Sequence, residues 1–202
     1  MTNTRDLSAA SWNEHYLNQN TPWDLGAATP EFLRLVKEGR LPTKGNALVP
    51  GAGRGHDAIL LAKNGWETSV VDLSAKAIEA LLEEASKEKR NIFSYKIDFF
   101  DLPKIGFHQN RYDLILEYTF FCAIDPALRK EYGRAMRKLL KPGGLLVGLF
   151  FPLTHEGASP PFVVSKEEVR AVLEGFEIIE ESPRESVKPR AGREFLVFAR
   201  KK

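Results

Sequence analysis

The 202-residue sequence predicts an α/β protein: a mostly parallel sheet with helices on both faces, completed by a C-terminal antiparallel hairpin. Three observations predict it. Through the middle of the chain, short apolar strand-like runs alternate with segments of helical period. A glycine-rich loop joins the first of those runs to the first of those helices. The end of the chain breaks the alternation with two strand-like runs in succession.

In chain order, Ser11 and Glu14 form a capping-box pattern that opens a first helix, with Trp12 and Tyr16 one turn apart on one face. "TPWDLG", residues 21–26, follows; its proline fixes φ and Gly26 allows φ > 0, so it is a turn or loop. Trp23 in that loop either caps the edge of the core or covers a ligand. "PEFLRLVKEG" is a second helix. "NALVPG" is the first core strand, "HDAILLAKNG" a helix stopped at Asn64-Gly65, and "ETSVVDLS" the next strand. "AKAIEALLEEASKEK" places Ile78, Leu81, Leu82 and Ala85 on one helical face. "IFSYKIDFFD" and "YDLILEYTF" are strands. "PALRKEYGRAMRKLL" is a helix that has Pro126 in its first turn and Asp125 as its N-cap. "KPGG" breaks that helix before the strand "LLVGLFF". "SKEEVRAVLEGF" carries a capping box, Ser165 with Glu168, and "FEIIEES" and "EFLVFAR" form the edge hairpin.

Composition narrows the class. Hydrophobic residues make up 43% and charged residues 28%, which suits one compact globular domain. A formal net charge of +2 gives no case for a nucleic-acid or membrane surface. The lone Cys122 excludes an intramolecular disulfide and a multi-cysteine metal site, and no metal is expected. With no membrane-length apolar run and no signal-peptide core at the N-terminus, a cytoplasmic protein is expected.

The chemistry concentrates in "PGAGRGHD". Gly51, Gly53 and Gly55 follow a strand and open a helix, so the backbone can approach a ligand closely and the helix N-terminus supplies N–H groups and partial positive charge. Asp72 ends the second strand, where an acid can accept from two ribose hydroxyls. His56 stands where a dinucleotide fingerprint needs its third glycine, so the cofactor expected is an adenosine compound whose amino-acid end lies by the loop. Asp98 ends the third strand, placed to accept from an adenine amino group or else to cap a turn, with Phe99 beside it. Tyr118 ends the fourth strand at the expected switch point. Phe120 and Phe121 read as core.

"TPWDLG", "ALVPGAGRGHD", "SVVDLS", "DFFD", "YDLILEYTFFCAIDP", "LLKPGG" and "SPPFVVS" occur in this order. Together they resemble the halide and thiol methyltransferases of the thiopurine methyltransferase superfamily, from about Trp12 to the C-terminus. The resemblance implies a single domain over 1–202: a Rossmann-like, seven-stranded core over 46–202 and an N-terminal helical lid within 1–40. It implies S-adenosylmethionine as cofactor. Trp12, Tyr16 and Trp23 would cover it, Gly51 and Gly53 would lie along its methionine end, and Asp72 would hold the ribose. Asp98 and Phe99 would take the adenine, and Tyr118 the sulfonium region near the transferred methyl. Two departures stand out: Ala52 where the family often has cysteine in the glycine loop, and Tyr16 where the plant enzymes tend to have tryptophan. The second bears on substrate range.

The expected reaction is an in-line methyl transfer to a small soft nucleophile, a halide ion, bisulfide or thiol. Bulkier thiopurine or xenobiotic thiols are the alternative within the class, and a non-catalytic cofactor-binding module the alternative outside it. A soft nucleophile needs no proton removed during transfer, and no general base stands out. Glu117 alternates to the face opposite Tyr118. His155 lies on a later loop, His15 and His56 show no partner, Asp125 is a cap, and Cys122 reads as a small buried residue. "THEGASPPFVVS" either walls the pocket, with Phe162 beside it, or merely links strand to helix. The partner expected is a small-molecule or anionic methyl acceptor, with no nucleic acid and no membrane, and a monomer is expected.

Overall fold

The computed structural model describes residues 6–154, 159–184 and 187–202. Its seven strands are β1 (Gly45–Pro50), β2 (Trp66–Val71), β3 (Ile92–Tyr95), β4 (Tyr112–Tyr118), β5 (Leu140–Phe150), β6 (Phe176–Arg184) and β7 (Glu194–Lys201). They form one sheet in the order β3-β2-β1-β4-β5-β7-β6. The first five strands run parallel, and β7 is antiparallel to both β5 and β6, so the predicted hairpin closes the sheet edge. From β1 the chain first proceeds outward through β2 and β3, then returns to place β4 on the other side. The carboxyl ends of β1 and β4 therefore flank a switch point, where the connections diverge and leave a crevice.

Strand alternation sorts side chains into two core layers. Leu48 and Ile115 face one, with Tyr132, Met136 and Leu139 of α5 (Arg129–Leu139). Ala47, Val49, Leu114 and Leu116 face the other, with Ile59 and Leu61 of α3 (His56–Lys63) and Ile78 and Leu81 of α4 (Ala75–Lys87). Both faces are apolar because a parallel sheet is covered on both sides. On the second face α2 (Pro30–Lys37) buries Phe32 and Leu35, each contributing about 1.5–3 kcal/mol. Its Glu31 accepts hydrogen bonds from Arg34 and, across the molecule, from Arg184 at 2.9 Å.

α1 (Ala9–Leu17) has no buried residue. It is held at the amino end of α4, where Asn13 Oδ1 accepts from the Lys76 N–H (3.0 Å) and the Ser74 hydroxyl (3.2 Å). Its N-cap is Ser8, whose side chain accepts from the Ser11 N–H, so the expected Ser11–Glu14 capping box is corrected: Ser11 lies inside the helix. Leu82 is 41% exposed, and Ala77 takes its place on the buried stripe of α4. β3 ends at Tyr95; Asp98 lies beyond it as the cap of a short 3-10 helix, Phe99–Lys104, accepting from the Phe100 N–H at 2.9 Å. "KPGG" does not separate helix from strand, since β5 starts at Leu140 and runs through it. Asp125 caps as expected, but the first turn, Pro126–Leu128, is 3-10 and α5 begins at Arg129. Ser165 caps α6 (Lys166–Val172) by accepting from the Glu168 N–H, while the Glu168 carboxylate binds Arg129. Among the described residues, no helix is long and apolar enough to cross a membrane.

Candidate active site

A crevice opens at the switch point. Its floor is Val49 and Gly51 from the end of β1 and Leu116 and Tyr118 from the end of β4, and its roof is Tyr16, Trp23 and Leu25. Its volume of about 70 Å³ is well below the roughly 300–1,000 Å³ of small-molecule sites. The roof rests on the glycine loop, with the Tyr16 hydroxyl against Gly53.

The loop is shaped by left-handed glycines: φ is 56° at Gly51 and 54° at Gly53. A Cβ on Gly51 would run into the Phe120 ring, and one on Gly53 would come within 2.9 Å of the Tyr16 hydroxyl. Gly51 thus needs glycine for backbone and for space, and Gly53 chiefly for its backbone. The Gly51 N–H donates to the Val71 carbonyl (2.8 Å), and the Gly53 N–H donates to the Asp72 carboxylate (2.9 Å). Asp72 also accepts from the Ser74 N–H at 2.8 Å. Burial pushes its carboxyl above the usual carboxylate range, opposed by those backbone donors. A carboxylate has about four lone-pair sites, so two such bonds leave acceptor capacity for further hydroxyl donors.

The roof answers the question of Trp23. Its indole N–H donates to the Tyr16 hydroxyl (3.2 Å), and its ring meets Trp12 edge-on at 5.4 Å and His15 at 5.2 Å. Trp23 lines the crevice as part of an aromatic cluster. Its neighbour Asp24 fastens the roof to the glycine loop through the Arg54 Nε (2.9 Å) and the His56 Nε2 (3.1 Å). The His56 hydrogen bond holds Asp24 below the usual carboxylate range, and the same bond raises His56. His56, expected to have no partner, has one 32 residues away in sequence. A second tie is Asp57, which accepts from the N–H (2.7 Å) and hydroxyl (2.8 Å) of Thr29 at the start of α2. Burial pushes the Asp57 carboxyl up. Asp57 was missed in the sequence; its place in the first turn after the glycine loop was the available signal.

On the opposite side, the loop after β4 is organised from beneath. Glu117 is 1% exposed and turned away from the crevice, as strand alternation predicts. It accepts from the Phe120 N–H (3.1 Å), the Phe121 N–H (3.0 Å) and the Tyr132 hydroxyl (3.0 Å). Thr119, on the crevice wall, is held at φ 59°, a conformation costly for a non-glycine residue. Phe121 is core as expected. Phe120 is half-buried, packed against the same core, and its ring lies over Gly51. The Tyr118 hydroxyl donates to Glu194 (2.6 Å) and accepts from Arg190, two buried residues that the sequence did not point to.

Of the nine residues expected to bind the cofactor, Tyr16, Trp23, Gly51, Gly53 and Tyr118 line the crevice. Asp72 joins it through Gly53, and Trp12 supports Trp23 from behind. Asp98 is exposed, and its carboxylate is engaged in capping. Phe99 is buried at 3% among Phe100, Phe120 and Tyr132. Phe162, expected beside the pocket, is also core, its N–H donating to the Cys122 carbonyl (2.7 Å). His155 lies outside the described residues. Among the described residues, no three His, Cys, Asp or Glu side chains come together as a metal-ligand set.

A mostly parallel sheet in this order, a glycine loop after β1 and an acid after β2 make a frame suited to a nucleoside cofactor. The chain matches the thiopurine S-methyltransferase (TPMT) family over residues 7–196, and it belongs to that family. It is 39% identical over 194 residues to "Probable thiol methyltransferase 2" of Arabidopsis thaliana, covering 94% of this chain and 84% of the relative. It is 38% identical over 196 residues to "Thiocyanate methyltransferase 1" of Brassica oleracea, with the same coverage. In fold it is similar to the Burkholderia thailandensis 1,6-didemethyltoxoflavin-N1-methyltransferase solved with S-adenosylhomocysteine: TM-score 0.73 and 22% identity, over 96% of this chain and 87% of that one. The protein is thus a methyltransferase whose cofactor is S-adenosylmethionine. The glycine cradle, the carboxylate beside it and the aromatic roof fit that group.

Proposed function

We propose that this enzyme methylates small soft nucleophiles, namely thiols, bisulfide, thiocyanate or halide ions, at the Tyr118 end of the crevice. One observation carries the reading: the titratable side chains lining the crevice are already committed. Asp24 is bonded to Arg54 and His56, and Asp57 to Thr29. Burial holds Tyr16 far up in its neutral form. The Tyr118 proton is directed at Glu194, and Glu117 faces away. Among the described residues no group is poised to remove a proton, so the acceptor has to arrive as an anion or lose its own proton beforehand.

S-adenosylmethionine supplies, when bound, a methyl group on a sulfonium, which is transferred as the sulfur leaves as a thioether. The chain's own contribution is positioning and exclusion of water. Asp72 and the Gly51–Gly53 backbone hold the cofactor's ribose and methionine end. Trp23, Tyr16 and Tyr118 present aromatic faces to the cation, each contributing about 0.5–2 kcal/mol in a dry site. The segment from α1 through the 21–26 loop acts as a lid on the core of 46–202, within a single domain, while α2 packs into that core. Closure fixes acceptor and methyl donor in line, where alignment does most of the work. We assign the adenine end to Asp98 and Phe99, with Phe99 as support beneath it. The enzyme is proposed to act as a cytoplasmic monomer, a reducing setting that suits thiol acceptors and the free, buried Cys122.

The test is a competition among iodide, bisulfide, thiocyanate and an aromatic thiol under saturating cofactor, reading the methylated products. The small acceptors are expected to have the highest kcat/KM. Turnover confined to the aromatic thiol would move the enzyme to bulky substrates.

A further inference from the structure

Arg190 is 7% exposed, and one guanidinium touches both walls of the crevice. Its Nη2 donates to the Trp23 carbonyl at 2.8 Å, and its Nη1 donates to the Tyr118 hydroxyl. The group is stacked between rings, 5.0 Å from the centre of Tyr118 and 5.1 Å from that of Phe151. Four residues on, the buried Glu194 accepts the hydrogen bond that the Tyr118 hydroxyl donates. Arg190 comes from the connection between β6 and β7, Trp23 from the N-terminal loop and Tyr118 from the end of β4. No other contact described above joins those three elements at one point. A planar fork with separate donors can hold a backbone carbonyl and a phenol at once, which a single ammonium on a flexible stem does poorly.

We infer that Arg190 is a positioning residue that ties the 21–26 loop to Tyr118, so that descent of the roof and orientation of the acceptor end of the crevice are one event. The acceptor half of this inference rests on the function proposed above; the mechanical half does not. When the roof is down, the Trp23 carbonyl completes the shell of Arg190, and Arg190 fixes which lone pair of the Tyr118 oxygen is occupied. When the roof lifts, Arg190 loses that partner and Tyr118 loses its fixed setting. The link works through hydrogen bonds and stacking and requires no contact between Arg190 and either substrate.

The experiment compares Arg190→Met, Tyr118→Phe and the double variant with the native enzyme. Hydrogen exchange of residues 21–26 is expected to be several-fold faster in Arg190→Met. It is expected to be faster in Tyr118→Phe too, although that change lies on another element, and no faster in the double variant than in Arg190→Met. With a thiol acceptor, Arg190→Met is expected to lower kcat on the order of ten- to hundredfold, the range that small misplacements cost. KM for the acceptor should change far less, and the two substitutions should not multiply in the double variant. Arg190→Lys should recover only part of kcat, and it serves for the exchange measurement if the methionine variant does not fold. Unchanged exchange at 21–26 in a folded Arg190 variant, or losses in kcat that multiply, would overturn the inference. If the native enzyme transfers no methyl to any soft nucleophile, the functional reading fails, and the exchange result alone decides the link.

Discussion

Asp72→Ala is expected to weaken S-adenosylmethionine binding about ten- to hundredfold. Hydrogen bonds to a charged group contribute about 1.5–3 kcal/mol, and each 1.4 kcal/mol is tenfold in affinity. The substitution acts twice. It removes the acceptor proposed for the ribose, and it strips the Gly53 and Ser74 N–H groups of their carboxylate. Asp72→Asn separates these effects, since the amide oxygen can still accept a backbone bond while the charge is gone. Calorimetry on the folded variants should rank alanine below asparagine, and asparagine below native. Native affinity in a folded Asp72→Ala protein would remove Asp72 from the site.

Glu117→Ala is expected to have the largest effect on the fold. It leaves the Phe120 N–H, the Phe121 N–H and the Tyr132 hydroxyl without their acceptor. Unsatisfied buried groups cost about 1–3 kcal/mol each, so a loss of about 3 kcal/mol or more should appear as a lower urea midpoint. Glu117→Gln should behave differently, because the amide carbonyl can keep both backbone bonds. Burial raises the native carboxyl from 4.5 to about 7, so the folded state binds its proton more tightly than the unfolded state does. The stability contributed by that difference is fully present below pH 4.5 and is lost as pH rises through about 7. Urea titrations at pH 5 and pH 8 should show this decline in the native protein and a flatter response in Glu117→Gln. Turnover in Glu117→Gln should stay near native. Its abolition in a folded, cofactor-binding variant would make Glu117 part of the chemistry.

The fold was legible because its signals are local and repeated. The glycine loop after β1, the alternation of strand and helix and the closing hairpin each announce themselves within about ten residues. Errors arose where a local rule competed with tertiary contact. Ser11 and Glu14 match a capping box, yet Asn13 docks on Ser74 and Lys76 and the helix is capped a turn earlier, by Ser8. Leu82 has the right period, yet the neighbouring layer covers only Ala77, Ile78, Leu81 and Ala85 of α4. Asp98 looked like the end of a strand because "DFFD" is apolar at its centre, but its side chain folds back on its own backbone. The site was legible in part. Gly51, Gly53, Asp72, Trp23 and Tyr118 sit in motifs. Arg190 and Glu194 meet Tyr118 from 72 and 76 residues away, and Asp24 meets His56 across 32. Nothing local encodes such pairings; they come from the insertion of β7 beside β5 and from the lie of the N-terminal segment over the glycine loop.

The central claim is methyl transfer by alignment and desolvation, with no protein base. The most direct test is kcat/KM against pH for iodide and for two thiols of different acidity on the same enzyme. Iodide has no proton to lose, so its profile should be nearly flat between about pH 6 and 8, the range in which an unassisted site carries no titrating catalytic group. Each thiol should follow its own thiolate fraction, with a midpoint that moves with that thiol's pKa. Two thiol profiles sharing one midpoint regardless of acidity would place a catalytic base on the enzyme and contradict the account.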